Sequence, residues 1–357
     1  MRRLLHFFWF GYQRRYGDAA HYQDANIEIQ KWAERLLSER YAVHSSSCVT
    51  QGRVTQAASD ILIGHPNWDL NVAAADRIGR SERDWMTDNR LTPDAACHPN
   101  SYVLMPWVPA FPPEWTDYMT SYESQLERAK LVFAICGRIW HERTLALRDG
   151  SIQDRVRHKL VRLNMSVNAD ALRIAKTRFN PAGRRRLIHV SNLGSYKGIP
   201  LLMESTLGVA LPSVGSRALK QFSRGEIEIK VDGRFYPIYN LGPVNNDDDG
   251  QIRDLVENHD FYIHTSSMDA QATTVLEFAV RGLVPIVTPE SGFECEDAVY
   301  LTSSAERNRE IIAEALRMPE EDLIRRSERV RAYVRREHSW RSFYSTIASH
   351  IEATREG

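Results

Sequence analysis

The sequence predicts an α/β chain of two doubly wound domains, and three observations carry that expectation. Short apolar runs alternate with amphipathic helical patterns along the whole chain. The alternation restarts after "NPAGRRR" (180–186), a basic stretch with Pro and Gly that suits a linker. The length, 357 residues, is enough for two hydrophobic cores. Such alternation implies parallel sheets with right-handed crossovers. The expected division is residues 1–182 and 183–338, with 339–357 returning to the first domain. The two domains are expected to face across a cleft, with ligands beyond the carboxyl ends of the strands.

In the first domain the expected strands are "LLHFFWF" (4–10), "DILIGH" (60–65), "YVLMPWV" (102–108), "LVFAIC" (131–136) and "HKLVRLNM" (158–165). A helix is expected over 24–40, where Ile27, Trp32, Leu36 and Leu37 share a face. Residues 66–100 read as irregular. The second series runs "LIHVSN" (187–192), a helix at 198–208, "EIEIKV" (226–231), "FYPIYNLG" (235–242) and a helix at 250–258. It continues with "FYIHTS" (261–266), a helix at 274–281, "LVPIVT" (283–288) and "AVYLT" (298–302). Helices at 305–317, 320–336 and 339–353 close the chain.

Lys plus Arg equals Asp plus Glu at 46 each, so no global basic field invites nucleic acid. Arg184, Arg185 and Arg186 still form a local patch. The four cysteines are scattered without a CxxC, which argues against a zinc site or a disulfide framework and suits a reducing cytoplasm. "MRRLLHFFWFGYQRR" has the basic-then-apolar order of a signal peptide. Its apolar run is short, contains His6, and meets Gln13, Arg14 and Arg15 without a cleavage site, so it reads as a buried first strand. No stretch approaches the roughly 20 apolar residues of a membrane span. The expected location is cytoplasmic, with any membrane contact peripheral. No GxGxxG follows the first strand, which argues against a nicotinamide dehydrogenase.

The chemistry concentrates in "SSMDAQATTVLEFAVRG" (266–282). Glu277 has a structural reading: Thr274-x-x-Glu277 is a capping box, and Glu277 stands four residues before Arg281 in the favourable order. It also has a functional one. The stretch lies between a strand end and a helix start, where unpaired amides and the helix dipole attract an anion. Small residues Ala270, Ala272 and Thr273 allow a phosphate near the backbone. Asp269 and Glu277 on either side would accept hydrogen bonds from hydroxyl groups. A diphosphate between two hydroxyl-bearing rings answers to that pattern. Upstream, "HVSNLGSYKG" (189–198) supplies Lys197 to the same sheet edge, either as a solvated surface lysine or as a partner for a departing diphosphate.

These motifs, "SNLGSYKG", "NHDFYIHTSSMDAQATTVLEFAVRGLVPIVT" and "SGFECEDAVYLTSS" in that order, resemble the retaining family-four glycosyltransferases of the GT-B fold. "KLVRLNMSVNADAL" (159–172) resembles that family's segment at the end of the first domain. The likeness covers roughly residues 158–305. It implies two Rossmann-like domains and transfer of a sugar, with retention, from a nucleotide diphosphate donor. The donor would be UDP-linked in preference to GDP-linked, with no further cofactor. The acceptor would be a carbohydrate, lipid-linked or small-molecule hydroxyl. By the same resemblance Lys197 would bind the diphosphate and Asp269 the sugar hydroxyls. Ala270, Gln271, Ala272, Thr273 and Thr274 would border the phosphate and sugar, and Glu277 would hold the ribose.

Three departures stand out. The family's arginine ahead of Lys197 falls on Asn192, which would take its donor-binding place, the first acid is the shorter Asp269, and Ala270 and Ala272 replace glycines. They favour an alternative, a catalytically idle sugar-nucleotide-binding or scaffold protein on the same fold.

In the first half, His65 ends a strand. It reads either as a satisfied structural residue or as a contact for the donor sugar or acceptor; His6 and His141 are weaker candidates. Trp68, Trp85, Trp107 and Trp115 could line an acceptor site or simply pack. "NNDDDG" (245–250) offers an Asp-x-Asp pair for a metal, but four residues separate it from the strand and its acids suit a helix start. Metal-independent chemistry is therefore expected.

Overall fold

The computed structural model describes residues 2–9, 25–45, 57–66, 97–109 and 116–356. It divides into two compact units, Met1–Met165 with Trp340–Gly357, and Ser166–Ser339.

Among the described residues the first unit holds a six-stranded parallel sheet in the order β2-β1-β3-β4-β5-β6. Its elements are β1 (Leu4–Phe8), α1 (Ala25–Leu37), β2 (Ala42–Ser45), β3 (Ile61–Gly64), β4 (Ser101–Pro106), α2 (Thr116–Arg128), β5 (Val132–Ile135), α3 (Arg138–Leu145), α4 (Ile152–Val156) and β6 (Leu160–Leu163). β3 and β5 are buried along their length, as befits parallel strands covered on both faces. β2 is absent from the sequence-based expectation; at four residues, "AVHS", it carries too little apolar pattern to announce itself. The C-terminal helix Trp340–Glu356 belongs to this unit. Tyr344 donates its hydroxyl proton to the Ile29 carbonyl in α1, and Tyr41 hydrogen-bonds Glu352 at 2.6 Å.

The second unit carries a seven-stranded sheet ordered β13-β12-β11-β7-β8-β10-β9. It comprises β7 (Leu187–Val190), α5 (Ile199–Thr206), β8 (Ser213–Gly215), β9 (Gly225–Val231), β10 (Arg234–Gly242), α6 (Asp249–Asn258), β11 (Phe261–His264), α7 (Thr273–Val280), β12 (Val284–Val287), β13 (Val299–Tyr300), α8 (Ala305–Arg317) and α9 (Glu320–Glu337). The helix Trp340–Glu356 is α10. Leu187, Phe261, Ile263, Val284 and Ile286 form the apolar centre of the sheet, packed with Leu202, Met203, Ile312 and Leu323 from the helices. β8, three residues long, was also beyond the reach of pattern reading.

One expectation changes. β9 and β10 pair antiparallel, Val231 opposite Arg234, around a two-residue turn in which Asp232 (φ 47°) and Gly233 (φ 85°) are both left-handed. Asp-Gly at such a turn matches the right-handed twist of a hairpin, so this part of the sheet is not built from crossovers. The compact units meet at Met165/Ser166. The stretch read as a linker is held to the second unit: the Lys176 amide donates to Arg281 O at 2.7 Å, and Asn180 and Arg186 amides donate to Asp260.

Candidate functional site

Three loops meet at the carboxyl edge of the second sheet, those following β7, β11 and β12. Two glycines fix how closely they approach. Gly198 (φ 67°) would place a Cβ 1.9 Å from the Thr265 carbonyl oxygen, and Gly292 (φ 71°) one 2.4 Å from Ala270 O. Only a residue without a Cβ fits either place. Hydrogen bonds then join the loops: Ser267 N donates to Tyr196 O at 3.0 Å and Ser266 Oγ to the same oxygen at 2.7 Å. Asp269 N donates to Glu290 O at 3.0 Å and Ala272 N to Ser291 O at 3.1 Å.

This framework brings Lys197 and Asp269 together as an ion pair, with side chains 14% and 13% exposed. The Lys197 ammonium also lies 4.7 Å from the centre of the Tyr196 ring. His264, the last residue of β11, sets its Nε2 3.3 Å from the same Asp269 oxygen. Burial pushes the Asp269 carboxyl up, but the Lys197 charge and the His264 hydrogen bond outweigh it and hold the carboxyl below its ordinary value. Burial holds His264 low and neutral, so Nε2 carries its proton toward Asp269.

Behind His264 the ring of His189 is stacked at 5.5 Å, and burial holds that imidazole down at about 3. Its tautomer follows from its partners. Nδ1–H donates to Ile263 O at 2.9 Å, leaving Nε2 to accept from Ser191 Oγ at 2.8 Å. Ser191 Oγ in turn accepts from the amide of Leu193, whose φ of 58° is thereby held at the start of the Lys197 loop. A histidine pair inside the sheet thus shapes the loop on one side and orients the aspartate on the other.

The other expected donor residues differ in what they offer. Asn192 is exposed, and its Oδ1 accepts from Gly194 N at 3.1 Å, so it turns the loop on itself. Gln271 donates its side chain to Gly292 O at 3.1 Å. With the Ala272 amide taken by Ser291, the cradle shrinks to the amides of Ala270, Thr273 and Thr274, which have no acceptor among the described residues. Thr273 and Thr274 open α7, whose N-cap Ala272 supplies no side-chain bond. The capping box therefore does not form. Thr274 Oγ1 lies 2.7 Å from Tyr262 OH, and buried Glu277 accepts from Asn246 Nδ2 at 3.0 Å. Below it Arg281 is 2% exposed; Nη1 donates to Glu277 O at 3.4 Å, while Nε has no partner among the described residues. Sequence reasoning passed over His264, Asn246 and Ser291. Only His264 left a signal, a polar residue closing an otherwise apolar strand.

"NNDDDG" is accounted for by the helix it precedes. Asp248 is the N-cap of α6, accepting from Gln251 N at 3.0 Å. No group of three metal-ligating side chains occurs among the described residues.

In the first unit His65 is buried at the end of β3. Its Nδ1 lies 2.8 Å from Pro66 O, and its ring meets Trp9 and Tyr122 edge-on at 5.6 and 5.7 Å. His6 is buried, 3.5 Å from Asp60. Trp107 is fully buried and donates to Thr144 Oγ1 at 3.1 Å, so it packs in the core. Trp68, Trp85 and Trp115 lie outside the described residues. No described helix is long and apolar enough to cross a membrane.

No family model and no curated protein matches the sequence. Solved structures do share the fold. Sucrose-phosphate synthase from Thermosynechococcus elongatus aligns over 99% of both chains, with a TM-score of 0.60 and 11% identity. HepE from Anabaena, in complex with UDP and glucose, aligns over 99% of this chain and 100% of its own, with a TM-score of 0.57 and 11% identity. TarM aligns over 85% of this chain at a TM-score of 0.54 and 8% identity, and the chain spans only 57% of its length. At such identities the likeness establishes architecture: the chain has the GT-B fold, two Rossmann-like domains.

Proposed function

We propose that the chain is a glycosyltransferase that moves a sugar from a nucleoside diphosphate donor, UDP-linked by preference, to a hydroxyl acceptor with retention. The observation that carries this reading is the junction of Lys197, Asp269 and the unpaired amides of Ala270, Thr273 and Thr274 at one sheet edge. HepE, bound to UDP and glucose on the same fold, supports it.

On this reading the diphosphate displaces Asp269 as the partner of Lys197, and the freed carboxylate accepts from hydroxyls of the sugar. The amides at the start of α7 take phosphate oxygens, Asn192 flanks them, and Gln271 and Ala272 keep the loop in shape. Glu277 accepts from the ribose, held in place by Asn246. As the glycosidic bond to the phosphate breaks, Lys197 and the helix N-terminus stabilise the charge on the leaving diphosphate. A phosphate oxygen takes the acceptor's proton. His65 is the first domain's candidate contact for the donor sugar or the acceptor, which could be carbohydrate, lipid-linked or a small molecule. No metal is needed: activity should survive EDTA, and loss restored by manganese or magnesium would bring Asp247 and Asp249 forward instead.

Asn192 favours a second reading. Where a second cation would assist departure of the diphosphate, a neutral amide folds back on its own loop. A sugar-nucleotide-binding protein without turnover would tolerate that. Turnover of any donor separates the two readings.

Thermal unfolding with nucleotides tests the site itself. UDP at about 100 times its dissociation constant adds roughly 2.7 kcal/mol, a rise of several degrees for a chain of this size. NAD should leave the midpoint unmoved, and Glu277→Ala should shrink the UDP response. If neither UDP nor GDP shifts the wild-type midpoint, the donor reading fails.

A further inference from the structure

The second sheet carries another cavity at its opposite end. Arg184, Arg185 and Arg186 lead directly into β7, and Ser213 opens β8, so these residues mark the amino ends of the strands whose carboxyl ends face Lys197. There a cavity of about 690 Å³ is lined by Val209, Leu211 and Leu316 together with Arg184, Arg186 and Arg317. That volume is typical of small-molecule sites.

The cations stand on a fixed backbone. Arg184 N donates to Pro181 O at 3.0 Å and Arg186 N to Asp260 Oδ2 at 3.1 Å. Arg185 is committed: Nε donates to Asn180 O and Nη1 to Leu316 O, both at 3.1 Å, which ties the end of α8 to the basic segment. Arg184 and Arg186 make no side-chain hydrogen bond or ion pair among the described residues, and Arg317 donates only to Ala313 O within its own helix. Four guanidinium groups thus line one cavity against a single lining carboxylate, Glu226. Cations that outnumber the acids around one cavity gain from an added anion, and the planar guanidinium fork suits phosphate oxygens.

We propose that this cavity binds a phosphate monoester with an apolar organic part. Arg184, Arg186 and Arg317 take the phosphate, while Val209, Leu211 and Leu316 take the organic group. Leu211, 38% exposed without a ligand, would be covered. Glu226 accepts from a hydroxyl of the ligand and repels a second phosphate, which disfavours nucleoside diphosphates. The inference is independent of the donor reading.

Phenyl phosphate serves as the soluble probe, measured by calorimetry against inorganic phosphate. Flotation on phosphatidylcholine vesicles with and without phosphatidic acid probes the same headgroup chemistry on a lipid. The expected results are tighter binding of phenyl phosphate than of inorganic phosphate, and roughly tenfold or greater weakening in the exposed double variant Arg184→Ser/Arg186→Ser. Its unfolding midpoint should stay unchanged. Leu211→Asp should weaken phenyl phosphate and leave inorganic phosphate as it was. Capture on phosphatidic acid alone identifies a lipid source, and phenyl phosphate binding a soluble one. The proposal is overturned if neither probe binds, if the double variant binds as wild type does, or if phenyl and inorganic phosphate bind equally.

Discussion

Strand β11 is bracketed by two lysine–aspartate pairs, Lys176–Asp260 at its amino end and Lys197–Asp269 beyond its carboxyl end. The first is sealed, with side chains 1% and 0% exposed, and saturated. Asp260 accepts from Lys176 at 3.2 Å, from Asn180 N and Nδ2, and from Arg186 N, while Lys176 also donates to Val256 and Glu257 carbonyls at 3.2 Å. Buried charges persist only when satisfied in this way. The second is reached by solvent, and its lysine has Asp269 as its one side-chain acceptor among the described residues. The same two residue types thus form a sealed, fully paired contact in one place and one partly open to solvent in the other.

Acidification should break both ends and has the largest expected effect. Burial holds His189 at about 3 and His259 at about 4, and it lowers His264 as well. These folded-state values lie below the unfolded value of 6.5, so the unfolded chain binds more protons. Their contribution is fully present above pH 6.5 and is lost as pH falls toward 4 and then 3. Each such histidine removes about 1.4 kcal/mol per pH unit in that window. Chemical denaturation from pH 7 to 4.5 should show the second domain failing; a flat profile would mean that the histidines are hydrated or charged.

Asp260→Asn comes next. It leaves the Lys176 ammonium buried beside a neutral amide, which should cost about 3–5 kcal/mol and lower the midpoint without changing which nucleotide binds. A loss below about 1 kcal/mol, the scale of an exposed pair, would erase the contrast drawn between the two pairs. Lys197→Ala is the counterpart. Little stability should be lost, because the Asp269 carboxylate it leaves keeps His264 and solvent. Turnover should instead fall roughly a hundredfold, as when one preorganised charge partner is removed. Full activity in that variant would end the assignment of Lys197 to the diphosphate.

The sequence carried the fold further than it carried the site. The run from β10 to α9 is legible almost residue by residue, because each element is long enough to display its period and is punctuated by Gly, Pro or a capping Asp or Ser. β2 and β8 escaped because three or four residues cannot display a period. The antiparallel hairpin escaped although Asp232-Gly233 announces it; reading every strand as part of a crossover series hid the turn chemistry. Around the candidate site, Lys197, Asp269 and Glu277 stand out in the sequence by residue type at strand and helix ends. Their partners do not. His264 meets Asp269 only through the geometry of one strand end, Asn246 reaches Glu277 from 31 positions away, and the Ala272 amide is taken by a loop after another strand. Such contacts depend on which strands become neighbours, and that is a property of the sheet as a whole.

The β9–β10 turn bears on the order of assembly. Most pairings in the second sheet join distant chain segments; Leu187 and Phe261 pair across 74 positions. Val231 and Arg234 meet across the two turn residues. Closing a short loop sacrifices far less chain entropy than closing a long one, so the hairpin is the register available earliest to a growing or refolding chain. β10 then presents its other edge to β8, with Tyr239 opposite Ser213. This departure from parallel pairing would therefore act as a seed, against which the slow, long-range strands align.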